Sequence, residues 1–98
     1  MTALAALLAA QRRLSILQIL AASPGGTLNT AIIDKALDEA DLRTPRATVD
    51  ADVAWLHGEA LVTMSRVGPY LVAAITQAGR DVAAGEDSHE GVAHPEWI

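Results

Sequence analysis

The chain has 98 residues and a mass of 10.2 kDa, which is the size of one domain with a single core and leaves no room for a separate catalytic domain. The absence of cysteine excludes disulfide bonds, thiolate metal sites and a cysteine nucleophile. The formal charge of -5 lies mainly at the C-terminal end, because residues 1–85 carry seven basic against eight acidic groups. The sequence therefore lacks the broad basic field that drives nonspecific nucleic-acid binding.

The first predicted element is a helix over residues 2–22, where nothing breaks a helix and leucines recur with the spacing of a helix face. Its apolar start has no basic residue before it and is followed by Arg12 and Arg13, which is the wrong order for a signal peptide. The apolar run over residues 1–10 is also shorter than the roughly 20 residues that cross a bilayer. We therefore expect a soluble, cytoplasmic protein with no membrane contact.

Two further helices follow. Residues 23–26 stop the first helix, and Thr27 is predicted to cap a second helix that runs to about residue 40. After a short connection, Thr44 and Pro45 are typical of an N-cap and the first helical position, which predicts a third helix to about residue 58. The predicted core face of the third helix consists of Val49, Val53 and Leu56.

The last elements define the fold class. Residues 61–66 and 70–75 are β-prone runs joined by a turn, which predicts a hairpin, and Thr76 is predicted to cap a last helix over residues 77–84. The order helix, helix, helix, hairpin, helix is typical of a winged helix-turn-helix, a mainly α fold with a small β-hairpin. We expect a winged-helix domain with an extended first helix over residues 1–85 and an acidic C-terminal tail over residues 86–98.

Three segments carry a family resemblance: Asp52-Val53-Ala54-Trp55-Leu56, Ala60-Leu61-Val62-Thr63 and residues 74–85. The chain resembles ArsR-like winged-helix proteins, in particular small proteins of Mu-like phages and prophages, over roughly residues 12–95. The resemblance implies a DNA-binding transcriptional regulator in the cytoplasm of a bacterial host cell. Ala60 departs from the pattern, because such proteins often have glycine before the leucine that opens the wing, and a left-handed helix exit costs alanine more. The metal-sensing cysteines of some ArsR-like repressors are missing, so metal sensing is not implied.

The candidate DNA-binding residues lie around the third helix, because the second helix of a helix-turn-helix pair enters the major groove. The face opposite its core consists of small residues that cannot discriminate bases by hydrogen bonds: Ala47, Ala51, Ala54 and Gly58. Asp50 and Asp52 flank this face and would repel phosphates unless arginines pair with them. The predicted contacts to duplex DNA are Arg43, Thr44, Arg46 and Thr48 near the start of the helix and Arg66 on the wing.

Other uses of these surfaces stay open. An alanine stripe also permits close packing against a protein partner, and it often has no function because alanine is the best helix former. The alternative to a DNA regulator is therefore a protein-interaction module that uses the third helix or the tail. Leu4, Leu7 and Leu8 extend the first helix beyond the core and predict a homodimer through it. Trp97 and Ile98 either fold back on the domain, dock on another chain or end a disordered tail.

No motif in the sequence indicates catalysis. His57, His89 and His94 lack the spacing of a structural zinc site, and no serine has a nucleophile-elbow context. Trp55 is expected to be a partly buried anchor between the third helix and the rest of the domain. The sequence therefore predicts no enzyme activity, no metal site and no cofactor.

Overall fold

The computed structural model describes residues 2–97, so Met1 and Ile98 lie outside the described part of the chain. The fold is mainly helical with a small antiparallel sheet, as the sequence predicts. Its elements, in chain order, are α1 (Ala3–Ala22), a 3-10 turn (Pro24–Gly26), β1 (Thr27–Asn29), α2 (Thr30–Glu39), α3 (Arg46–Gly58), β2 (Val62–Val67), β3 (Tyr70–Ile75), α4 (Gln77–Ala83) and a second 3-10 turn (Pro95–Trp97).

The sheet contains three strands in the order β1-β3-β2. β2 and β3 form the predicted hairpin, in which Val67 pairs with Tyr70 across the turn. β1 pairs with the other edge of β3, and the sequence did not predict it because three residues show no alternation. The prediction that Thr27 caps α2 is therefore wrong. Thr27 begins β1, and the side chain of Asn29 instead accepts the N–H of Ile32 at 2.9 Å to cap α2.

The start of α3 differs by one residue from the prediction. Pro45, rather than Thr44, occupies the N-cap position, with φ -56° and ψ 142°, and no side chain caps the helix. The hydroxyl of Thr44 donates to the carbonyl of Leu42 at 2.8 Å and so stabilises the connection instead. The boundary shifts because Pro45 itself has extended backbone, so Arg46 rather than Pro45 is the first helical residue.

The core lies where α1 packs against α2, α3 and α4. By length and composition α1 could also cross a membrane, a criterion that core helices of soluble proteins meet as well. Five of its side chains are buried, and all lie between Ala9 and Leu20. The main core cluster consists of Leu14, Ile16, Leu17, Leu20, Ile33, Leu37, Val49, Val53, Leu56, Leu61, Val62, Ala73, Val82, Ala83, Val92 and Ala93.

Three helices end at a residue with left-handed backbone, namely Asp41 after α2, Ala60 after α3 and Gly85 after α4. Ala60 has φ 62°, and beyond it the N–H of Leu61 donates to the carbonyl of Leu56 at 3.0 Å. This pattern is a Schellman motif, in which glycine is the usual left-handed residue. The strained exit that the sequence indicates at Ala60 is therefore present.

The C-terminal segment, residues 86–97, packs against the helices. Val92 and Ala93 are buried, and the N–H of Ala93 donates to the carbonyl of Ala10 in α1 at 3.0 Å. Trp97 remains 69% exposed, and Ile98 lies outside the described residues. The middle of the expected tail thus contributes to the core, while the acidic side chains around it face solvent.

Candidate nucleic-acid interface

α3 has the two faces that its sequence predicts. Val49, Val53 and Leu56 are fully buried, which fixes the helix against the core. The opposite face is exposed and consists of Ala47, Ala51, Ala54 and Gly58. A helix with such a smooth outer face can approach another surface closely, but it offers that surface no side-chain hydrogen bond.

The predicted contact residues fall into two groups. Arg43, Thr44, Arg46 and Thr48 lie in or just before the first turn of α3, and of these Arg43 and Arg46 are exposed. The two threonines are partly buried, and the Thr44 hydroxyl is already bonded within the connection. Arg66 lies apart from them, exposed on β2. Of these four predicted contacts, the two arginines are therefore more accessible to DNA than the two threonines.

Arg46 is held in place by two neighbours. Its Nη2 donates to the hydroxyl of Thr30 in α2 at 3.1 Å, and its Nε lies 3.4 Å from Oδ1 of Asp50, one turn further along α3. The Arg46 and Asp50 side chains remain 47% and 43% exposed. An ion pair of this kind is weak and opens readily, so a phosphate can compete for the guanidinium.

Asp52 does not lie beside the outer face of α3, where the sequence placed it. Its residue is only 3% exposed, and its Oδ2 accepts from Nε of Arg12 in α1 at 2.6 Å. The Nε of Arg13 lies 3.4 Å from the other carboxylate oxygen, without forming a hydrogen bond to it. Asp52 therefore joins α3 to α1 inside the protein and contributes no exposed negative charge to the outer face of α3.

Arg13 extends the same cluster to the C-terminal segment. Its guanidinium lies 4.0 Å from the centre of the Trp55 ring, and its Nη1 donates to the carbonyl of Gly91 at 3.1 Å. His89 meets the Trp55 ring edge-on and donates to Glu59 at 2.9 Å. Trp55 is partly buried, as predicted, and it anchors α3 to both α1 and the C-terminal segment.

The β2–β3 hairpin presents different groups on its two faces. Arg66 lies on the same strand face as the buried Val62, whereas Thr63 and Ser65 point to the opposite side. Val67 and Tyr70 are both more than half exposed at the tip. The sequence does not predict this exposed apolar pair directly. The position of Tyr70 immediately after the turn is the feature that indicates an exposed side chain at the tip.

The histidines are engaged in hydrogen bonds. Nε2 of His94 donates to the carbonyl of Gly85 at 3.1 Å, and its Nδ1 accepts the N–H of Glu96 at 3.2 Å. A cavity of about 180 Å³ between α4 and the C-terminal segment is lined by four apolar residues, Val82, Val92, Ala93 and Trp97, and by five polar ones, Asp87, Ser88, His89, Glu90 and His94. Within residues 2–97, no three histidine or carboxylate side chains lie close enough together to hold a metal ion.

Comparison with known proteins adds no assignment to this geometry. The chain matches no family model, and no curated protein is significantly similar to it in sequence. A functional proposal therefore depends on the exposed faces of α3 and the hairpin and on the charges around them.

Proposed function

We propose that this protein is a winged helix-turn-helix DNA-binding protein that acts as a transcriptional regulator in the cytoplasm of a bacterial host cell. The hairpin is the wing in this proposal, and α2 and α3 form the helix-turn-helix pair. The element order and the short connection between α2 and α3 support it. The sequence resemblance to ArsR-like proteins of Mu-like phages and prophages supports a phage or prophage origin.

The burial of Asp52 is the observation that carries the proposal. α3 has two carboxylates, and an acidic residue beside the groove would repel the phosphates of duplex DNA. Asp52 is withdrawn into an ion pair with Arg12, and Asp50 lies next to Arg46. The outermost residues of α3 are uncharged, the exposed Asp50 beside them is paired with Arg46, and Arg43 and Arg46 are exposed at the N-terminal end.

The start of α3 offers phosphates a second kind of contact. No side chain caps the helix, so N–H groups of its first turn remain available to an anion. In this arrangement Arg43 and Arg46 bind the backbone beside the major groove, Ala47 and Ala51 allow close approach, and Arg66 binds the backbone beside the wing. Such contacts hold the protein on DNA but read few bases, which favours modest sequence discrimination.

Fluorescence anisotropy with a labelled duplex of mixed sequence tests the proposal. We expect binding at about 20 mM salt that weakens steeply towards about 200 mM, with each lost phosphate contact lowering the salt slope by about 0.9. Arg43→Ala, Arg46→Ala and Arg66→Ala should each weaken binding several-fold. The matched control is Lys35→Ala, which removes one exposed positive charge from α2. The proposal fails if the unaltered protein binds no duplex at low salt, or if all three arginine variants bind like the control.

A protein-interaction module on the same scaffold is the second candidate. The net charge of -5 and the alanine face of α3 favour it, because neither attracts nucleic acid. In this alternative α3 or the C-terminal segment contacts another protein. It predicts no duplex binding at any salt concentration, so the same titration distinguishes the two candidates.

A further inference from the structure

The cavity between α4 and the C-terminal segment has the size of a small ligand. Its volume is about 180 Å³, and the buried residues that line it are Val82, Val92 and Ala93. Trp97 lines it as well but remains 69% exposed, although a tryptophan normally buries most of its surface. Because an apolar cavity of about 150 Å³ holds a benzene molecule, this volume suits a ligand whose apolar body is about one ring in size.

The backbone around the cavity is already fixed by hydrogen bonds. The N–H of Glu86 donates to the carbonyl of Asp81 at 2.9 Å, and the N–H of Val92 donates to the carbonyl of His89 at 3.1 Å. Oδ1 of Asp87 accepts the N–H of the next residue at 2.9 Å. The cavity is therefore formed before a ligand enters, so binding requires little ordering of the chain.

Two aromatic rings lie side by side at the cavity. The rings of His94 and Trp97 have centroids 6.4 Å apart and planes inclined by 42°. Nε2 of His94 donates to the carbonyl of Gly85 and its Nδ1 accepts the N–H of Glu96, which is the bonding of an uncharged imidazole. The indole of Trp97 is less enclosed, and the face of a tryptophan ring attracts a cation more strongly than the face of any other side chain.

The charged residues that line the cavity are acidic. Asp87 and Glu90 are exposed, and within residues 2–97 neither of them forms an ion pair. Nε2 of His89 lies 2.9 Å from a carboxylate oxygen of Glu59, which balances any positive charge on that imidazole. The lining residues include no lysine or arginine. The cavity therefore attracts a cation and repels an anion.

We propose that this cavity binds a small organic cation, an ammonium compound with an apolar body of about one ring. The apolar body lies against the three buried residues, and the ammonium group faces Trp97, Asp87 and Glu90. A neutral molecule of the same size gains nothing from the two carboxylates, and a carboxylate ligand is repelled by them. The proposal does not depend on DNA binding, because none of the lining residues is among those proposed to contact duplex DNA.

Titration of the ¹⁵N-labelled full chain with benzylammonium chloride, followed by NMR at about 150 mM NaCl, tests the proposal. We expect saturable shifts of the backbone signals of residues 82–97 and of the Trp97 indole N–H. A dissociation constant of about 1 mM or lower is expected for a ligand of about eight non-hydrogen atoms. Benzyl alcohol and benzoate, which keep the ring, and methylammonium, which keeps the charge, should each bind at least about fivefold more weakly.

Two variants separate the contributions of charge and aromatic ring. Glu90→Gln removes one carboxylate from the lining and should weaken benzylammonium binding about threefold. Its matched control is Glu86→Gln, which removes an exposed carboxylate of the same segment that does not line the cavity, and binding should stay unchanged. Trp97→Leu keeps an apolar side chain but removes the aromatic face, so it should weaken binding of benzylammonium more than binding of benzyl alcohol. All three positions are exposed, so the variants should unfold at the temperature of the wild type.

Four results would overturn the proposal. The first is the absence of saturable shifts up to about 20 mM benzylammonium. The second is binding of benzyl alcohol or benzoate as tight as that of benzylammonium. The third is binding by Glu90→Gln and Trp97→Leu that equals binding by Glu86→Gln. The fourth is a set of shifts around Glu39, an exposed acid of α2, as large as those at the cavity, because cations would then bind any acidic surface of this protein.

Discussion

Replacing Asp52 with asparagine should destabilise the protein more than any other single change of a carboxylate in α3. The substitution keeps the size of the side chain but leaves Arg12 and Arg13 without their counter-charge, although more than four-fifths of each arginine side chain is buried. Breaking a buried ion pair by removing one partner costs about 3–5 kcal/mol. Because a domain of this size has about 5–15 kcal/mol of stability, the variant should lose a large fraction of it.

Urea unfolding followed by far-UV circular dichroism measures this loss, and thermal unfolding should show a decrease of at least about 12 °C. The control is Asp50→Asn in the same helix, whose carboxylate is 43% exposed and lies 3.4 Å from Arg46. An exposed pair of this kind contributes about 0–1 kcal/mol. If Asp52→Asn costs less than about 1 kcal/mol, or no more than Asp50→Asn, the carboxylate is not the buried anchor described here.

Three substitutions test the backbone strain at Ala60 and the close packing around Gly79 and Gly91. Ala60→Gly should stabilise the protein by about 0.5–1 kcal/mol. The free energy gained by removing the left-handed strain exceeds the free energy lost through the greater conformational entropy of the unfolded glycine chain. Unchanged stability in urea would contradict this. Gly79→Ala should cost at least about 3 kcal/mol in the same assay, because the new Cβ would lie 2.1 Å from the carbonyl oxygen of Leu61. Gly91→Ala should release the C-terminal segment, because its Cβ would lie 2.8 Å from the Trp55 ring at φ +90°; faster backbone hydrogen exchange after residue 86 would report this.

Two other glycines provide matched controls for these substitutions. Gly58 lies at the end of α3, where an added Cβ would meet no other part of the protein within 4 Å. Gly58→Ala should therefore stabilise the protein slightly, in contrast to the destabilising Gly79→Ala. Gly25 has φ +69° and equally open surroundings, so Gly25→Ala measures the backbone strain without a steric clash. A C-terminal segment that stays protected in Gly91→Ala would show that contact with Trp55 does not hold it.

The long helices and the hairpin could be predicted because their signals are local. The buried and exposed faces of α3 follow from its own periodicity, and Thr76 caps α4 as its position before that helix indicates. β1 could not be predicted, because its three residues become a strand only through pairing with β3. For the same reason the sequence predicts Thr27 as the cap of α2, whereas Asn29 makes the cap.

The charges of the candidate site were less predictable than its helix faces. The periodicity of α3 alone predicts Asp52 beside the outer face, whereas Asp52 is buried, because its partners lie about 40 residues earlier in the chain. A signal was present in α1, where Arg12 and Arg13 have no acidic residue within the same helix to pair with. The docking of residues 86–97 left no such signal, because it depends on Gly91 fitting against the face of Trp55.

The cluster around Asp52 affects the charge of two helices, α1 and α3. One carboxylate turns both arginines of α1 inward, which leaves α3 without an exposed acid at this position and α1 without an exposed cation. Replacing a buried ion pair by apolar residues of similar volume is often neutral for stability. Here such a replacement would also remove the contacts of Arg13 with Trp55 and Gly91. The ion cluster therefore holds α1, α3 and the C-terminal segment in one arrangement and keeps the charges of Arg12, Arg13 and Asp52 away from the outer faces of α1 and α3.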